Sequence, residues 1–230
     1  MVQSINIKAI TTLASVVRRP YLASPHIHVG TISEIDFTAM RDKCGIRAVV
    51  FDKDNTLTAP YDLSTHPKAS VGLKHALDAF GSDQVAILSN SAGTKDDPGY
   101  EHAKEIERDM GISVIRHDEK KPGGLDEVLK HFSNVEDPTQ LCMVGDRLLT
   151  DIVFGNLYGM LTVHCLPLCT GEENVRDNKI ASFVRSTENL VLFGNWFGGK
   201  IIQSKTIPHA VWQGDNKYPL VLQSNDVDHN

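Results

Sequence analysis

The sequence predicts an α/β protein built on a parallel sheet with helices on both faces. Two observations carry this. Short apolar runs alternate along the chain with segments of helical periodicity, joined by short connections. The apolar runs also stop abruptly at an acid, a hydroxyl or a lysine, which would collect those groups on one sheet edge. Open α/β proteins hold ligands at the carboxyl ends of such strands.

The first run, Ile46 to Phe51, reads as a buried strand and ends in Asp52-Lys53-Asp54-Asn55-Thr56-Leu57-Thr58. Two carboxylates this close repel and are costly to keep ionised unless a cation sits beside them. The residues alone suggest a Mg²⁺ site with one carboxylate left free to attack. Pro67 suits the first position of a helix with Val71, Leu73, Leu77 and Phe80 on its apolar face and Gly81 as its stop. Gln84 to Leu88 is a second strand and ends in Ser89-Asn90-Ser91-Ala92-Gly93. A hydroxyl and backbone amides there suit a phosphoryl oxygen, although Ser-Asn-Ser is also ordinary turn chemistry.

A helix over 100–110 with Ala103, Ile106 and Met110 on one side ends at Gly111. Ile112 to Ile115 is a third strand. Lys120-Lys121-Pro122-Gly123-Gly124 follows, with Pro122 marking a helix start and Leu125, Val128, Leu129 and Phe132 facing inward. Lys121 could hold a phosphate and offset the aspartates, or be a surface lysine. Leu141 to Val144 is a fourth strand, ending in Gly145-Asp146-Arg147-Leu148-Leu149-Thr150-Asp151. Thr150 suits the cap of a helix carrying Ile152, Val153 and Leu157. Asp151 suits the helix dipole, a wholly structural role. Leu161 to Cys165 is a fifth strand.

Residues 1–33 lack Asp and Glu and carry Lys8, Arg18 and Arg19 among a helical stripe of Ile5, Ile10, Leu13, Val16 and Val17. Such a basic, amphipathic arm suits mitochondrial targeting, contact with an anionic membrane, or plain packing on the domain. Pro20 to His28 reads as a linker, with His26 and His28 exposed or packing rather than ligating. The expected organisation is an arm over 1–33, a catalytic core over 34–170 and an extension over 171–230. Ile180, Phe183 and Val184 fall in a helix of that extension. The apolar, aromatic stretch 190–202 suits core packing, self-association into a homo-oligomer, or a lipid interface. From Gln213 on, the tail is polar apart from Leu220-Val221-Leu222, and disorder is expected there.

The net charge is −6, which weighs against nucleic acid as the main partner. Four cysteines, Cys44, Cys142, Cys165 and Cys169, form no C-x-x-C pair and read as reduced core thiols.

Taken as an ordered set, Asp52-x-Asp54-x-Thr56, Ser89, Lys121-Pro122 and Gly145-Asp146-x-x-x-x-Asp151 resembles the four motifs of the haloacid dehalogenase (HAD) superfamily. The resemblance spans about Arg47 to Cys165. Phe-Asp-Lys-Asp-Asn-Thr-Leu-Thr and Leu-Ser-Asn-Ser-Ala-Gly are similar to the branch containing the mitochondrial phosphatidylglycerophosphate phosphatases of fungi and plants. The resemblance implies a Rossmannoid three-layer sandwich with little or no cap domain, since the stretches between motifs are largely used by the helices already read. It implies a phosphatase with Asp52 as nucleophile and Asp54 as acid/base. Mg²⁺ would be held by the Asp52 and Asp146 side chains and the Asp54 backbone carbonyl. Ser89, Asn90 and Lys121 would bind phosphate, with Thr56 and Asp151 in support. The expected substrate is a phospholipid at a membrane surface, on the matrix side of the mitochondrial inner membrane. Alternatives are a capless phosphatase for a soluble ester or nucleic-acid end, and a non-catalytic membrane-associated scaffold.

Overall fold

The computed structural model describes residues 16, 18–169, 208–212 and 220–222. Six strands form one parallel sheet: β1 (Ile27–Val29), β2 (Ala48–Phe51), β3 (Val85–Ile87), β4 (Ser113–Val114), β5 (Leu141–Gly145) and β6 (Leu161–Cys165). Their order is β1-β6-β5-β2-β3-β4, every neighbouring pair parallel. The chain runs outward from β2 through β3 to β4, then restarts at β5 on the other side of β2. The reversal opens a crevice at the carboxyl end of β2, the place where doubly wound sheets bind ligands.

Strand side chains alternate between faces, so each apolar run feeds two cores. Val49, Phe51, Val85, Ile87, Cys142, Val144 and Val163 meet one set of helices. These are α1 (Phe37–Cys44), α2 (Pro67–Phe80) and α3 (Glu101–Met110). Ala48, Val50, Ala86, Leu88, Leu141 and Met143 meet the other set, α4 (Leu125–His131) and α5 (Val153–Tyr158). The three layers predicted from the sequence are therefore present. One loop and α2 join β2 to β3, and one loop and α3 join β3 to β4. Neither connection carries an inserted cap among the described residues.

Helix boundaries follow local chemistry. Asp36 caps α1 by accepting the Ala39 N–H at 2.8 Å, and Gly45 ends it in the left-handed conformation. Pro67 opens α2 as expected, with His66 before it accepting the Lys68 N–H. Of the predicted face of α2, Leu73 is buried and Leu77 and Phe80 pack partly buried against the same core, while Val71 departs from it. Ala69, Gly72, Leu73, Ala76 and Ala79 face in, whereas Val71 is 44% exposed. Small residues are needed because α2 lies close to the chain before α1. A Cβ on Gly72 would come within 2.5 Å of the Ile32 backbone, and Ser33 Oγ bonds across the contact to the Lys68 carbonyl.

Other expectations are corrected. The supposed linker 20–28 begins with a short 3-10 turn, Pro20–Ala23, and leads into edge strand β1. Val16, Leu22 and Ala23 pack on Leu148, Leu149, Ile152 and Val153, and Asn156 Nδ2 donates to the carbonyls of Leu22 and Ser24. Pro122 does not start a helix. It sits in a turn after a cis peptide, and α4 begins only after Gly124, whose φ is +90°. Thr150 does not cap a helix either. It lies inside a wide π-type turn, Leu148–Ile152, which precedes α5, and Leu157 on α5 is exposed.

Of the C-terminal part, Leu220–Leu222 is ordered against the core. Val221 pairs antiparallel with Ile35, and Leu220 is fully buried. Trp212 joins the core beside His26, and His209 Nε2 donates to the Thr139 carbonyl at 2.9 Å. The remaining arm residues (1–15 and 17), the helix expected around Ile180 to Val184 and the aromatic stretch 190–202 lie outside the described residues. No helix among the described residues is long and apolar enough to cross a membrane. All four cysteines are free and buried.

One buried carboxylate organises the β3–α3 connection. Asp97 accepts the backbone N–H groups of Gly93, His102 and Ala103, each at 3.0 Å. Burial alone would raise its carboxyl, but those three donors outweigh it and hold the group below its ordinary value. A carboxyl lowered on folding stabilises the fold above the unfolded pKa and loses that contribution as pH falls through the folded one. Asp97→Asn should therefore cost about 1–3 kcal/mol at neutral pH. The gap to the wild type should close in acid, as urea unfolding at the two pH values will measure.

Candidate active site at the carboxyl edge of the sheet

Asp52 follows β2 directly, its N–H held by the Val144 carbonyl of β5 at 2.8 Å. Asp146 follows β5, and Asp151 returns from the wide turn beneath Gly145. Carboxylate oxygens of Asp52, Asp146 and Asp151 lie within 4.8 Å of one another, and all three residues are buried. Gly145 makes this approach possible, because a Cβ there would fall on the Asp151 side chain. Lys121 Nζ enters the cluster and pairs with Asp52 Oδ1 at 2.5 Å and Asp151 Oδ1 at 2.6 Å.

Burial pushes the Asp52 carboxyl above its ordinary value, with Lys121 pulling against it and Asp151 adding to the rise. For Lys121, burial would lower the ammonium, but the two carboxylates outweigh it and raise it. Three carboxylates against one ammonium leave two negative charges inside the cluster. A divalent cation on oxygen ligands carries the matching charge, so the donor set fits Mg²⁺ in charge and in chemistry.

Asp151 is heavily used within the protein. Its Oδ2 accepts the Arg147 N–H at 3.1 Å, and its Oδ1 takes the Thr150 hydroxyl at 3.2 Å as well as Lys121. That leaves Asp52 and Asp146 better placed as side-chain ligands, with Asp151 holding the loop and the lysine. Arg147, which the sequence reading passed over, adds positive charge that acts on Asp52. Its only sequence signal is its place directly after Asp146.

Asp54 does not join the carboxylate cluster. Its Oδ1 pairs with Lys53 Nζ at 2.6 Å and accepts the Tyr61 N–H at 3.0 Å. Lys53, also passed over as a site residue, is fully buried. Asn55 takes the left-handed conformation, and its Oδ1 accepts the Cys169 N–H at 3.2 Å. The Asn55 carbonyl accepts the Leu168 N–H at 3.1 Å. Thr56 Oγ1 accepts the Cys165 thiol at 3.8 Å, so it braces the loop against β6.

Ser89 and Asn90 follow β3. Ser89 Oγ accepts the Ser91 and Ala92 N–H groups at 3.2 and 3.4 Å, which turns the chain sharply at the strand end. Asn90 Oδ1 accepts the Lys121 N–H at 2.8 Å, so this side chain fixes the lysine's backbone. His117 adds a second tie between the two loops. Its Nε2 donates to the Ser89 carbonyl at 2.8 Å and its Nδ1 contacts the Glu119 carbonyl at 2.6 Å.

On the other flank, His164 Nε2 donates to the Asp146 carbonyl at 3.0 Å, and its Nδ1 meets His28 Nδ1 at 2.8 Å. Burial, with His28 adding to it, pushes His164 down to about 4 against the pull of the Asp146 carbonyl. The ring is therefore neutral, and one N–H and one acceptor satisfy both contacts. The histidine expected to be exposed or packing thus bonds to one that carries the Asp146 loop.

Because the Gly145 position has no room for a methyl, Gly145→Ala should displace Asp151 and cost about 1–3 kcal/mol by overpacking. Denaturant unfolding reads this.

A family model described as mitochondrial PGP phosphatase matches residues 7–167. The chain is 45% identical over 174 residues to phosphatidylglycerophosphate phosphatase 1, chloroplastic/mitochondrial, of Arabidopsis thaliana, covering 74% of this chain and 49% of the plant protein. It is 46% identical over 154 residues to the chloroplastic phosphatidylglycerophosphate phosphatase 1 of Chlamydomonas reinhardtii, covering 66% and 56%. With the mitochondrial phosphatidylglycerophosphatase GEP4 of Saccharomyces cerevisiae it shares 34% identity over 157 residues, 67% of this chain and 83% of the yeast protein. The chain thus spans about half the length of the plant and algal relatives. No solved structure matches it. With the family model covering well over half of the chain, the protein belongs to the mitochondrial PGP phosphatase family.

Proposed function

We propose that the protein is a Mg²⁺-dependent phosphatase that hydrolyses phosphatidylglycerophosphate to phosphatidylglycerol, the precursor of cardiolipin. The observation that carries this reading is the buried cluster of Asp52, Asp146 and Asp151 around Lys121 at the carboxyl end of β2. Family membership and similarity to phosphatidylglycerophosphate phosphatases of plants and yeast support the substrate.

In this mechanism an Asp52 carboxylate oxygen attacks phosphorus, and the bond from phosphorus to the glycerol oxygen breaks. Asp54 gives that oxygen its proton, so phosphatidylglycerol leaves neutral at the new hydroxyl. The phosphoryl group is then held on Asp52 as an acyl phosphate. Asp54, now ionised, takes a proton from water as the water attacks phosphorus. Inorganic phosphate leaves and Asp52 is regenerated. The Asp52 and Asp146 side chains and the Asp54 carbonyl would hold Mg²⁺, which would supply charge neutralisation for the transferring phosphoryl oxygens. Lys121 adds its ammonium to the same task. The Ser89 hydroxyl binds an equatorial oxygen, while Asn90 keeps Lys121 in register.

An open edge with no cap among the described residues suits a phosphate on a large body. Tyr61, 41% exposed, and Leu166, 51% exposed, follow the Asp54 loop and β6 and give the edge apolar character beside the site. The same reading includes a mitochondrial location, which the mitochondrial Saccharomyces cerevisiae relative and the basic, acid-free segment 1–33 support, and extends it to the matrix side of the inner membrane as a peripheral protein.

Phosphate release from phosphatidylglycerophosphate in mixed micelles should exceed that from soluble phosphomonoesters and vanish with EDTA. Asp52→Asn should lower turnover by at least ~10³-fold, the scale of losses when a nucleophile is removed. Retained turnover in that variant would sink the nucleophile assignment. Faster turnover of soluble esters would transfer the activity to a soluble substrate.

A further inference from the structure

Lys53 stands between the two catalytic aspartates, yet its side chain is only 1% exposed and points at neither phosphate ligand nor solvent. Its ammonium has three oxygen partners: Asp54 Oδ1 at 2.6 Å, the Asp62 carbonyl at 2.8 Å and Thr58 Oγ1 at 3.1 Å. That matches the three donors a lysine carries. The Lys53 carbonyl in turn accepts the N–H groups of Leu57 at 2.9 Å and Thr58 at 3.1 Å. The loop from Asn55 to Asp62 is thus wound around this one side chain.

A buried ammonium is a costly way to pin a loop, since an apolar side chain of similar volume commonly serves as well or better. What an apolar side chain cannot do is grip a carboxylate. Asp54 Oδ1 receives two donors, Lys53 Nζ and the Tyr61 N–H, so the side chain's torsion is set from both sides. Its other oxygen, Oδ2, has no hydrogen bond among the described residues. A proton exchanged with a leaving group or with water therefore belongs on Oδ2, at a fixed position.

We infer that Lys53 is a positioning residue for the acid/base step, holding Asp54 through Oδ1 so that Oδ2 alone handles the proton. The inference rests on the reading of Asp54 as acid/base. It separates the work of the two lysines: Lys121 serves the nucleophile and the phosphoryl group, and Lys53 serves proton transfer. It also explains how two aspartates so close in sequence coexist, since each has its own ammonium.

The test uses leaving groups, with full-length protein and Mg²⁺. p-Nitrophenyl phosphate releases a phenolate that departs without a proton, whereas glycerol phosphate must release an alkoxide that needs one. General acid catalysis contributes on the order of 10²–10⁴-fold. Lys53→Met should therefore lower kcat/KM on glycerol phosphate by about ten- to a hundredfold, while p-nitrophenyl phosphate falls by about threefold or less. Lys53→Gln keeps neutral donors for Asp62 and Thr58 and should show the same bias, which covers failure of the methionine variant to fold. Equal losses on both substrates in the folded variant would mean that Lys53 only holds the loop, and the inference is overturned. Asp54→Asn separates the two levels. A bias in Asp54→Asn without one in Lys53→Met or Lys53→Gln removes the role of Lys53 alone. No bias in Asp54→Asn removes the acid/base reading and this inference with it.

Discussion

Buried negative charge is the constraint on which this molecule depends. A parallel sheet delivers the ends of its central strands to one edge, and in this chain β2 and β5 are each followed directly by an aspartate. Gathering Asp52, Asp146 and Asp151 within 4.8 Å out of water costs several kcal/mol per uncompensated ion. The protein meets part of that cost with Lys121, buried between two of the three. The rest would fall to a cation bound in the site. An edge strained by like charge when alone would be relieved by a bound cation, an arrangement that suits the phosphoryl transfer proposed above.

Positioning then becomes the dominant task, and the structure spends many neutral contacts on it. Lys121 comes from a loop with no regular structure, so Asn90 holds its N–H and His117 ties its approach to the end of β3. Asp146 sits at the end of β5, and His164 from the adjoining strand bonds to its carbonyl. His28 on edge strand β1 bonds in turn to His164. The outermost strand therefore contributes to the site two strands away, through side chains rather than backbone pairing.

The sequence made the architecture legible where physics is local. Strands β2, β3 and β5 are apolar runs buried on both faces that stop at polar residues where the chain meets the edge, and β6 is buried throughout. Gly81, Gly111 and Pro67 mark helix ends for conformational reasons that survive in any context. Strand β1 was hidden because Ile27-His28-Val29 is short, follows Pro25 and becomes a strand only by pairing with Leu161 to Cys165. On the predicted face of α2 the same limitation applies to Val71 alone. Val71 looks like a core residue until the close approach of Ile32 demands Gly72 and alanines instead. Within the site, Asp52, Ser89, Lys121, Asp146 and Asp151 stand out as chemical types at strand ends. The partnerships of Lys53, His117 and His164 depend on how loops curl, and no spacing rule encodes that.

The wide turn at Leu148–Ile152 shows how such non-local demands shape the backbone itself. A regular helix starting after Arg147 would offer its first turn to a capping side chain, as Thr150 suggested. The chain instead widens by a residue, a feature that concentrates at functional sites because it costs hydrogen-bond geometry. Here the widening places Asp151 under Gly145, where its carboxylate accepts the Arg147 N–H and the Lys121 ammonium together. Leu148, Leu149 and Ile152 on the same turn pack on Val16 and Leu22, so apolar contacts with the start of the described chain hold the turn in place. Loss of helical regularity, glycine at the one position where a methyl would collide, and a brace from the N-terminal segment are three consequences of one requirement. A second carboxylate had to stand behind the first to hold the lysine that serves both.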